Sequence, residues 1–142
     1  MTLFKSISKI AIGLSMVVSA VAFAETAVIV SASNGNNALD RETIERIFTG
    51  KSNSFPDGTQ AIPVDQNEGN AAREAFNASV LGKSSSQLKA YWSRLIFTGR
   101  GTPPKESGND ADVKDLVAKN PNLIGYVDAS VVDGSVKVVY KF

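Results

Sequence analysis

The chain lacks the two side chains that carry much nucleophilic and metal chemistry, because it contains no histidine and no cysteine. Ser-His-Asp and Cys-His catalysis are therefore impossible, as are most zinc and copper sites. A carboxylate site for calcium or magnesium stays open, but no D-x-[DN]-x-[DN]-G loop occurs. Asp65 and Glu68 form the one close carboxylate pair on a predicted strand-to-helix turn, and acid-base catalysis would also need an opposed partner and a cleft. We predict a protein that is not an enzyme and uses no metal or cofactor.

Polar residues in three loops are candidates for binding a ligand: Ser33 and Asn34, Gly69 and Asn70, and Thr98 and Arg100. The first pair follows a predicted strand, at the end where open α/β sheets place their ligands. The second pair opens a predicted helix, where unpaired N–H groups and the helix dipole favour an anion. The third pair offers a guanidinium. Each pair also has an alternative without a ligand. Loop polarity alone explains the first pair, a turn with an N-cap explains the second, and a solvated surface arginine explains the third.

The apolar pattern places these loops between strands and helices. Short β-branched or apolar runs predict strands at 27–31, 61–64, 123–127 and 136–140. Capping residues, apolar spacing and Gly or Pro stops predict helices at 40–48, 71–81, 84–98 and 109–120. In the third helix, i, i+3, i+4 spacing predicts a buried stripe of Leu88, Tyr91, Trp92, Leu95 and Ile96. Residues 128–132 fit either a strand or a single helical turn. Strands separated by helices indicate an α/β layer structure.

The first 24 residues have the pattern of a cleavable secretory signal peptide. Lys5 and Lys9 precede an apolar stretch, and Ala22-Phe23-Ala24 is a small-x-small cleavage site. The stretch is shorter than the roughly 20 residues that a spanning helix needs. We therefore expect cleavage after Ala24 and one periplasmic domain over 25–142, without stable membrane insertion. Cleavage removes two of the 15 basic residues, so the remaining basic residues nearly balance the 14 acidic ones. The domain then has no excess of positive charge that would attract nucleic acid.

Several short motifs occur in a fixed order along nearly all of 25–142. They are VIV at 28–30, IFTGK at 47–51, FPDGT at 55–59, REAF at 73–76, YWSR at 91–94, IFTG at 96–99, PP at 103–104 and IGYV at 124–127. Each is weak alone, but their order and spacing together resemble the substrate-binding proteins of phosphate ABC transporters. That family lies within the type II periplasmic binding proteins.

The resemblance implies an α/β fold that corresponds to a single lobe of a type II periplasmic binding protein, with a mixed sheet flanked by about four helices. It also implies phosphate or another small oxyanion as ligand, and an ABC transporter permease or another envelope protein as partner. The family's receptors are longer and close two lobes over the ligand.

The predicted phosphate loop departs from the family pattern. An Arg followed by Ser-Gly-Thr is replaced here by Gln66 and by Asn70-Ala71-Ala72. Each lost charged or strong hydrogen bond costs roughly 1.5–3 kcal/mol, and Glu68 adds a negative charge nearby. The sequence therefore leaves two functions open. One is a receptor-like lobe that binds an oxyanion weakly, and the other is an accessory module of the same fold that binds a protein instead.

Overall fold

The computed structural model describes Gly13 and residues 25–142. The predicted signal peptide, Gly13 apart, and its cleavage site after Ala24 lie outside this part of the chain. Among the described residues, no helix combines the length and the apolar character needed to cross a membrane.

Five strands and four helices make up the domain. The strands are β1 (Thr26–Ser31), β2 (Ile62–Asp65), β3 (Lys105–Glu106), β4 (Leu123–Asp128) and β5 (Val136–Lys141). The helices are α1 (Arg41–Phe48), α2 (Ala71–Phe76), α3 (Ser85–Phe97) and α4 (Asp110–Lys119). A π-helical turn, Asn77–Leu81, continues α2, and a 3-10 turn, Ala129–Val131, follows β4. The ambiguous stretch after the fourth predicted strand is therefore a helical turn.

The strands form one mixed sheet in the order β3-β2-β4-β1-β5. Strand β2 runs parallel to β3 and β4, whereas β1 runs antiparallel to both β4 and β5. The predicted α/β architecture, with a mixed sheet and four helices, is confirmed. The sequence pattern does not predict β3, because its two residues are polar and exposed.

The sheet is buried on both faces at its centre. On one face, Val28 and Val30 join a core with Ile44 of α1 and Phe76 of α2. On the other face, β1 and α4 build a second core that includes Ala27, Ile29, Val113 and Val117. Because helices cover both faces, β1 is an unbroken apolar run rather than an alternating one.

Helix α4 lies unusually close to β4 at Gly125. A Cβ atom built there would stand 2.7 Å from Val113 Cγ1 and 3.2 Å from Val64 Cγ2. The other face is held by aromatic contacts, since the Phe76 and Tyr126 rings stack with centroids 4.2 Å apart. Strand β4 is thereby clamped between α2 and α4.

Three of the predicted helix starts are capped as expected. Asp40 accepts a hydrogen bond from the Thr43 N–H, Ser84 forms a capping box with Gln87, and Asn109 forms one with Asp112. Asn70 has the extended backbone of an N-cap, but its side chain makes no capping hydrogen bond.

The predicted buried stripe of α3 is wrong for most of its length. Leu88 is buried, whereas Tyr91, Trp92 and Leu95 are half-buried and Ile96 is 54% exposed. The physical reason is that α3 lies at the periphery, where Leu88 and Trp92 pack on the core and the Tyr91 hydroxyl donates to the Thr49 carbonyl at 2.6 Å. Spacing shows that a helix has an apolar face, but not that another element covers it.

Candidate functional site

The turn between β2 and α2 is the candidate anion-binding turn, and its first side chain points into the protein. Gln66 is 1% exposed. Its Nε2 donates to Asp110 Oδ1 at 2.7 Å and to the Tyr126 carbonyl at 2.9 Å. Gln66 thus ties β2 to the end of β4 and the start of α4. Gln66 therefore has a structural role in this turn.

The rest of this turn is held by hydrogen bonds to the loop before α4. Asn70 Nδ2 donates to the Gly108 carbonyl at 3.1 Å, and the Gly108 N–H donates to Asn67 Oδ1 at 3.1 Å. Gly69 has φ +92, a left-handed conformation that favours glycine and lets the chain enter α2. Gly69 and Asn70 therefore stabilise the turn that leads into α2.

A network of charges surrounds Arg73, one turn into α2. Its Nη1 donates to Glu106 Oε1 at 2.5 Å and to the Gln66 carbonyl at 3.0 Å, and its Nη2 lies 3.7 Å from Asp65 Oδ2. Burial acts to lower the pKa of Arg73, but Glu106 and Asp65 outweigh it and raise that pKa. Arg73 therefore remains a cation that joins β2, β3 and α2.

Asp65 is the carboxylate that receives a hydrogen bond from Tyr126 in this network. Burial raises its pKa above the usual 3.8, while the hydrogen bond from the Tyr126 hydroxyl and the charge of Arg73 act in the opposite direction. The Tyr126 hydroxyl donates to Asp65 Oδ1 and accepts from the Gln66 N–H. Burial and the Asp65 charge raise the pKa of Tyr126, which stays protonated as the donor.

A cavity of about 370 Å³ opens beside this network, between α2 and α3. We call it the α2–α3 cavity. Polar groups line part of it and apolar side chains line the rest. The lining includes Phe48, Asp65, Glu68, Arg73, Asn77, Leu81, Leu88, Lys89, Trp92 and Glu106. Glu68 and Lys89 form an ion pair at 3.0 Å at its edge, and this hydrogen bond lowers the pKa of Glu68.

A second cavity of about 440 Å³ lies between α1 and β2. It shares Phe48, Trp92, Pro103 and Pro104 with the α2–α3 cavity. Its lining is largely apolar and includes the part-exposed Ile62 and Leu116. Trp92 therefore lines both cavities.

The structure does not bring the predicted pairs together. Because β1 is antiparallel to β4 while β2 is parallel to it, Ser33 and Asn34 lie at the opposite end of the sheet from Gly69 and Asn70. The polar groups of Asn34 are also used internally: its Nδ2 donates to the Pro121 carbonyl at 2.8 Å and its Oδ1 accepts from the Asn36 N–H at 2.7 Å.

Thr98 and Arg100 follow the far end of α3. Lys89 of that helix meets Glu68 beside the turn, so a rise of 1.5 Å per residue places Thr98 roughly 13 Å further along. The Thr98 hydroxyl donates to the Arg94 carbonyl at 3.0 Å, and Arg100 is exposed. The six predicted residues therefore belong to three separate places, and ligand contact by any of them stays a prediction.

Asp65 and Glu68 do not face each other as an acid and a base. Asp65 is engaged by Tyr126 and Arg73, and Glu68 is engaged by Lys89. Over 25–142, no group of three or more acidic side chains stands close enough together to hold a metal ion.

Sequence reasoning missed the three residues that shape this region most, which are Arg73, Asn77 and Glu106. Arg73 and Asn77 are four residues apart, so a helix places them on one face, and this spacing was the available signal. Glu106 has no local signal, because only the pairing of β3 with β2 brings it to Arg73.

The domain is similar to solved phosphate receptors. A phosphate ABC transporter substrate-binding protein from Clostridium perfringens, solved with bound phosphate, matches with a TM-score of 0.65 and 26% identity, over 82% of this chain and 45% of that chain. An ABC-type phosphate transport receptor from Vibrio cholerae matches with a TM-score of 0.65 and 20% identity, over 82% and 46%. PstS from Borrelia burgdorferi matches with 0.59 and 10%, over 82% and 47%.

These matches confirm the resemblance to phosphate ABC transporter receptors that the sequence motifs predict. The chain spans a little under half the length of each of the three receptors. No protein-family model and no curated protein matches the sequence.

Proposed function

We propose that this chain is a non-catalytic binding protein of the periplasm that holds phosphate or another small oxyanion weakly at the turn before α2. Three receptors for phosphate transport share its fold, and one of them was solved with phosphate bound. The absence of histidine and cysteine from the sequence supports recognition rather than reaction.

The proposal of weak affinity rests on one observation, the inward orientation of Gln66. Its amide is committed to Asp110 and to the Tyr126 carbonyl, so it donates nothing toward a ligand at the turn. Ala71 and Ala72 have no side-chain donors either. Backbone N–H groups at the start of the helix are what this turn still offers to an anion.

The charges near the turn also oppose an anion. Arg73 is already paired with Glu106 and Asp65, and Lys89 is paired with Glu68. A unit charge several ångströms away in a water-like dielectric contributes about 0.5–1 kcal/mol, or roughly a 2- to 5-fold change in affinity. We therefore expect dissociation constants for phosphate in the millimolar range.

Calorimetric titration of the purified protein with phosphate and with sulfate tests this proposal. Glu68→Gln removes the negative charge and releases Lys89, so it should strengthen phosphate binding by roughly 2- to 5-fold. Glu42→Gln makes the same change on the exposed surface of α1 and should leave the binding unchanged. Submicromolar phosphate binding by the wild-type protein would contradict the weak site, and silence at tens of millimolar in every variant would exclude an oxyanion function.

A second candidate function is an accessory module that binds an ABC transporter permease or another envelope protein. The end of α3 favours it, because Phe97 is 93% exposed beside the half-exposed Ile96. A photo-crosslinking residue at position 97 should capture an envelope protein in cells, whereas the same residue at Glu42 should not. If position 97 yields no crosslinked species above the position 42 background, this second function fails.

A further inference from the structure

Apolar side chains from five elements line the second cavity, between α1 and β2. They include Phe48 of α1, Ile62 of β2, Trp92 of α3, Leu116 of α4 and Leu123 of β4. Ile62 and Leu116 are 37% and 42% exposed, so water contacts apolar surface that a ligand would cover. The volume of about 440 Å³ falls within the range of roughly 300–1,000 Å³ that small-molecule sites occupy. The space therefore suits the apolar body of a small ligand.

One positive charge stands in this lining. Lys105 of β3 is the one charged side chain among the described residues that line the second cavity, and no carboxylate accompanies it there. Lys105 is exposed, and its ammonium group forms no ion pair with a carboxylate within 25–142. Its neighbour in the chain, Glu106, is held by Arg73 at 2.5 Å. The charge of Lys105 is therefore available to a ligand.

The pairing of β3 with β2 explains why the two cavities differ in charge. Lys105 pairs with Val64 in register, and both line the second cavity. Glu106 pairs with Asp65, and both line the α2–α3 cavity, where they meet Arg73. Successive residues of a strand point to opposite faces of the sheet. The two residues of β3 thus supply an ammonium group to one cavity and a carboxylate to the other.

This combination of an apolar lining and one cation selects a ligand with a single negative charge. Lys105 can balance one carboxylate, whereas a group with two charges would keep one of them unbalanced beside an apolar wall. A cationic ligand would be repelled. A neutral apolar molecule would fill the space but would gain nothing from Lys105.

We propose that the second cavity binds a small amphiphilic carboxylate, with its apolar body against Trp92 and its carboxylate beside Lys105. The site goes beyond the proposed oxyanion function, since no residue of the turn 66–70 lines this cavity. It adds a ligand class that the domain recognises mainly through an apolar body rather than through backbone N–H groups.

Octanoate is the probe for the test. Trp92 is the single tryptophan of the chain, and because it lines both cavities its fluorescence reports occupancy of either one. Methyl signals in a ¹³C–¹H spectrum identify the cavity, because Leu116 lines the second cavity alone and Leu88 lines the α2–α3 cavity alone. The Leu116 signals should shift and saturate at millimolar octanoate while the Leu88 signals stay in place. Hexanoate, two methylene groups shorter, should bind roughly 5- to 15-fold more weakly.

A charge variant tests the role of Lys105. Lys105→Met removes the charge, keeps an unbranched stem and changes an exposed position, so the protein should fold. It should weaken octanoate binding by roughly 2- to 5-fold and leave the binding of neutral octanamide unchanged. Lys141→Met is the matched control, because the exposed Lys141 lies in β5, at the opposite edge of the sheet from β3.

A wall variant tests the apolar contact. Leu116→Ser should weaken octanoate and octanamide alike, by roughly 2- to 5-fold, followed through the methyl signals of Leu123. Ile96→Ser is its control, because Ile96 is also part-exposed but lines only the α2–α3 cavity.

Four results would each overturn the proposal. They are Leu116 signals that do not move at tens of millimolar octanoate, Leu88 signals that move instead, octanamide binding as tight as octanoate binding, and unchanged octanoate affinity in Lys105→Met. Failure of the oxyanion function would appear separately, in the phosphate titration of the wild-type protein and Glu68→Gln, because phosphate should not displace octanoate.

Discussion

Replacing Gln66 with leucine tests whether the hydrogen bonds of this residue stabilise the fold. The resemblance to phosphate receptors implies an arginine at this position instead. Leucine is close to glutamine in size, so the change removes hydrogen bonds and creates little empty space. The side chain is 1% exposed, which leaves water no access to the groups it abandons.

The expected cost follows from the bonds that are lost. The bond from Gln66 Nε2 to Asp110 Oδ1, at 2.7 Å, involves a charged acceptor and contributes roughly 1.5–3 kcal/mol. The bond to the Tyr126 carbonyl, at 2.9 Å, contributes roughly 0.5–1.5 kcal/mol. Asp110 keeps the Asp128 N–H at 2.9 Å, which limits the loss. We expect the free energy of unfolding to fall by about 2–4 kcal/mol.

Urea unfolding followed by Trp92 fluorescence measures this cost as a lower midpoint with an unchanged slope. Gln60→Leu is the control, because the exposed Gln60 should change stability by less than about 0.5 kcal/mol. Phosphate affinity of the Gln66→Leu protein should equal that of the wild type. A Gln66→Leu protein as stable as the Gln60→Leu control, or one with clearly weakened phosphate binding, would refute the assignment.

Three further predictions concern packing, titration and export. Gly125→Ala should destabilise the protein by about 1–3 kcal/mol in the same assay, because the new methyl group would stand 2.7 Å from Val113 Cγ1. Gly134→Ala is the control, since a methyl group there meets open space and should not change stability. Equal stabilities of the two variants would contradict the close packing of α4. Burial raises the pKa of Asp65, so the folded protein holds a proton that the unfolded chain has released. The contribution of Asp65 to stability should therefore fall as pH rises from about 4, and the stability of wild type relative to Asp65→Asn should decline in that direction; a rise would reverse the sign of the shift. Intact mass of the exported protein should correspond to a chain that begins at Glu25, and a mass that retains 1–24 would exclude cleavage.

Much of the fold could be predicted from the sequence because its signals are local. The strand at the N-terminal side of the domain is a β-branched run, and Asp40 and Ser84 cap their helices through bonds that span three residues. Such signals need no knowledge of the rest of the chain. The candidate site was predicted less well, since its central ion pair joins Arg73 to Glu106 across 33 positions.

The direction of β1 in the sheet could not be predicted from the local sequence. Ser33 and Asn34 were expected near a ligand because they follow the carboxyl end of a strand, where open α/β sheets place their ligands. A strand's sequence carries its apolar content but not its direction, which depends on pairing with β4 and β5. The antiparallel pairing sends these two residues to the other end.

By itself, the sequence determined which chemistry is possible, because the absence of imidazole and thiol groups holds in any fold. It also indicated the α/β class through local pattern and the resemblance to phosphate receptors through motif order. The tertiary structure alone decided that the Gln66 amide points inward, that α3 leaves Phe97 uncovered, and that Arg73 pairs with Glu106. These features depend on which distant segments meet, and contacts between distant segments are formed only when the whole chain packs.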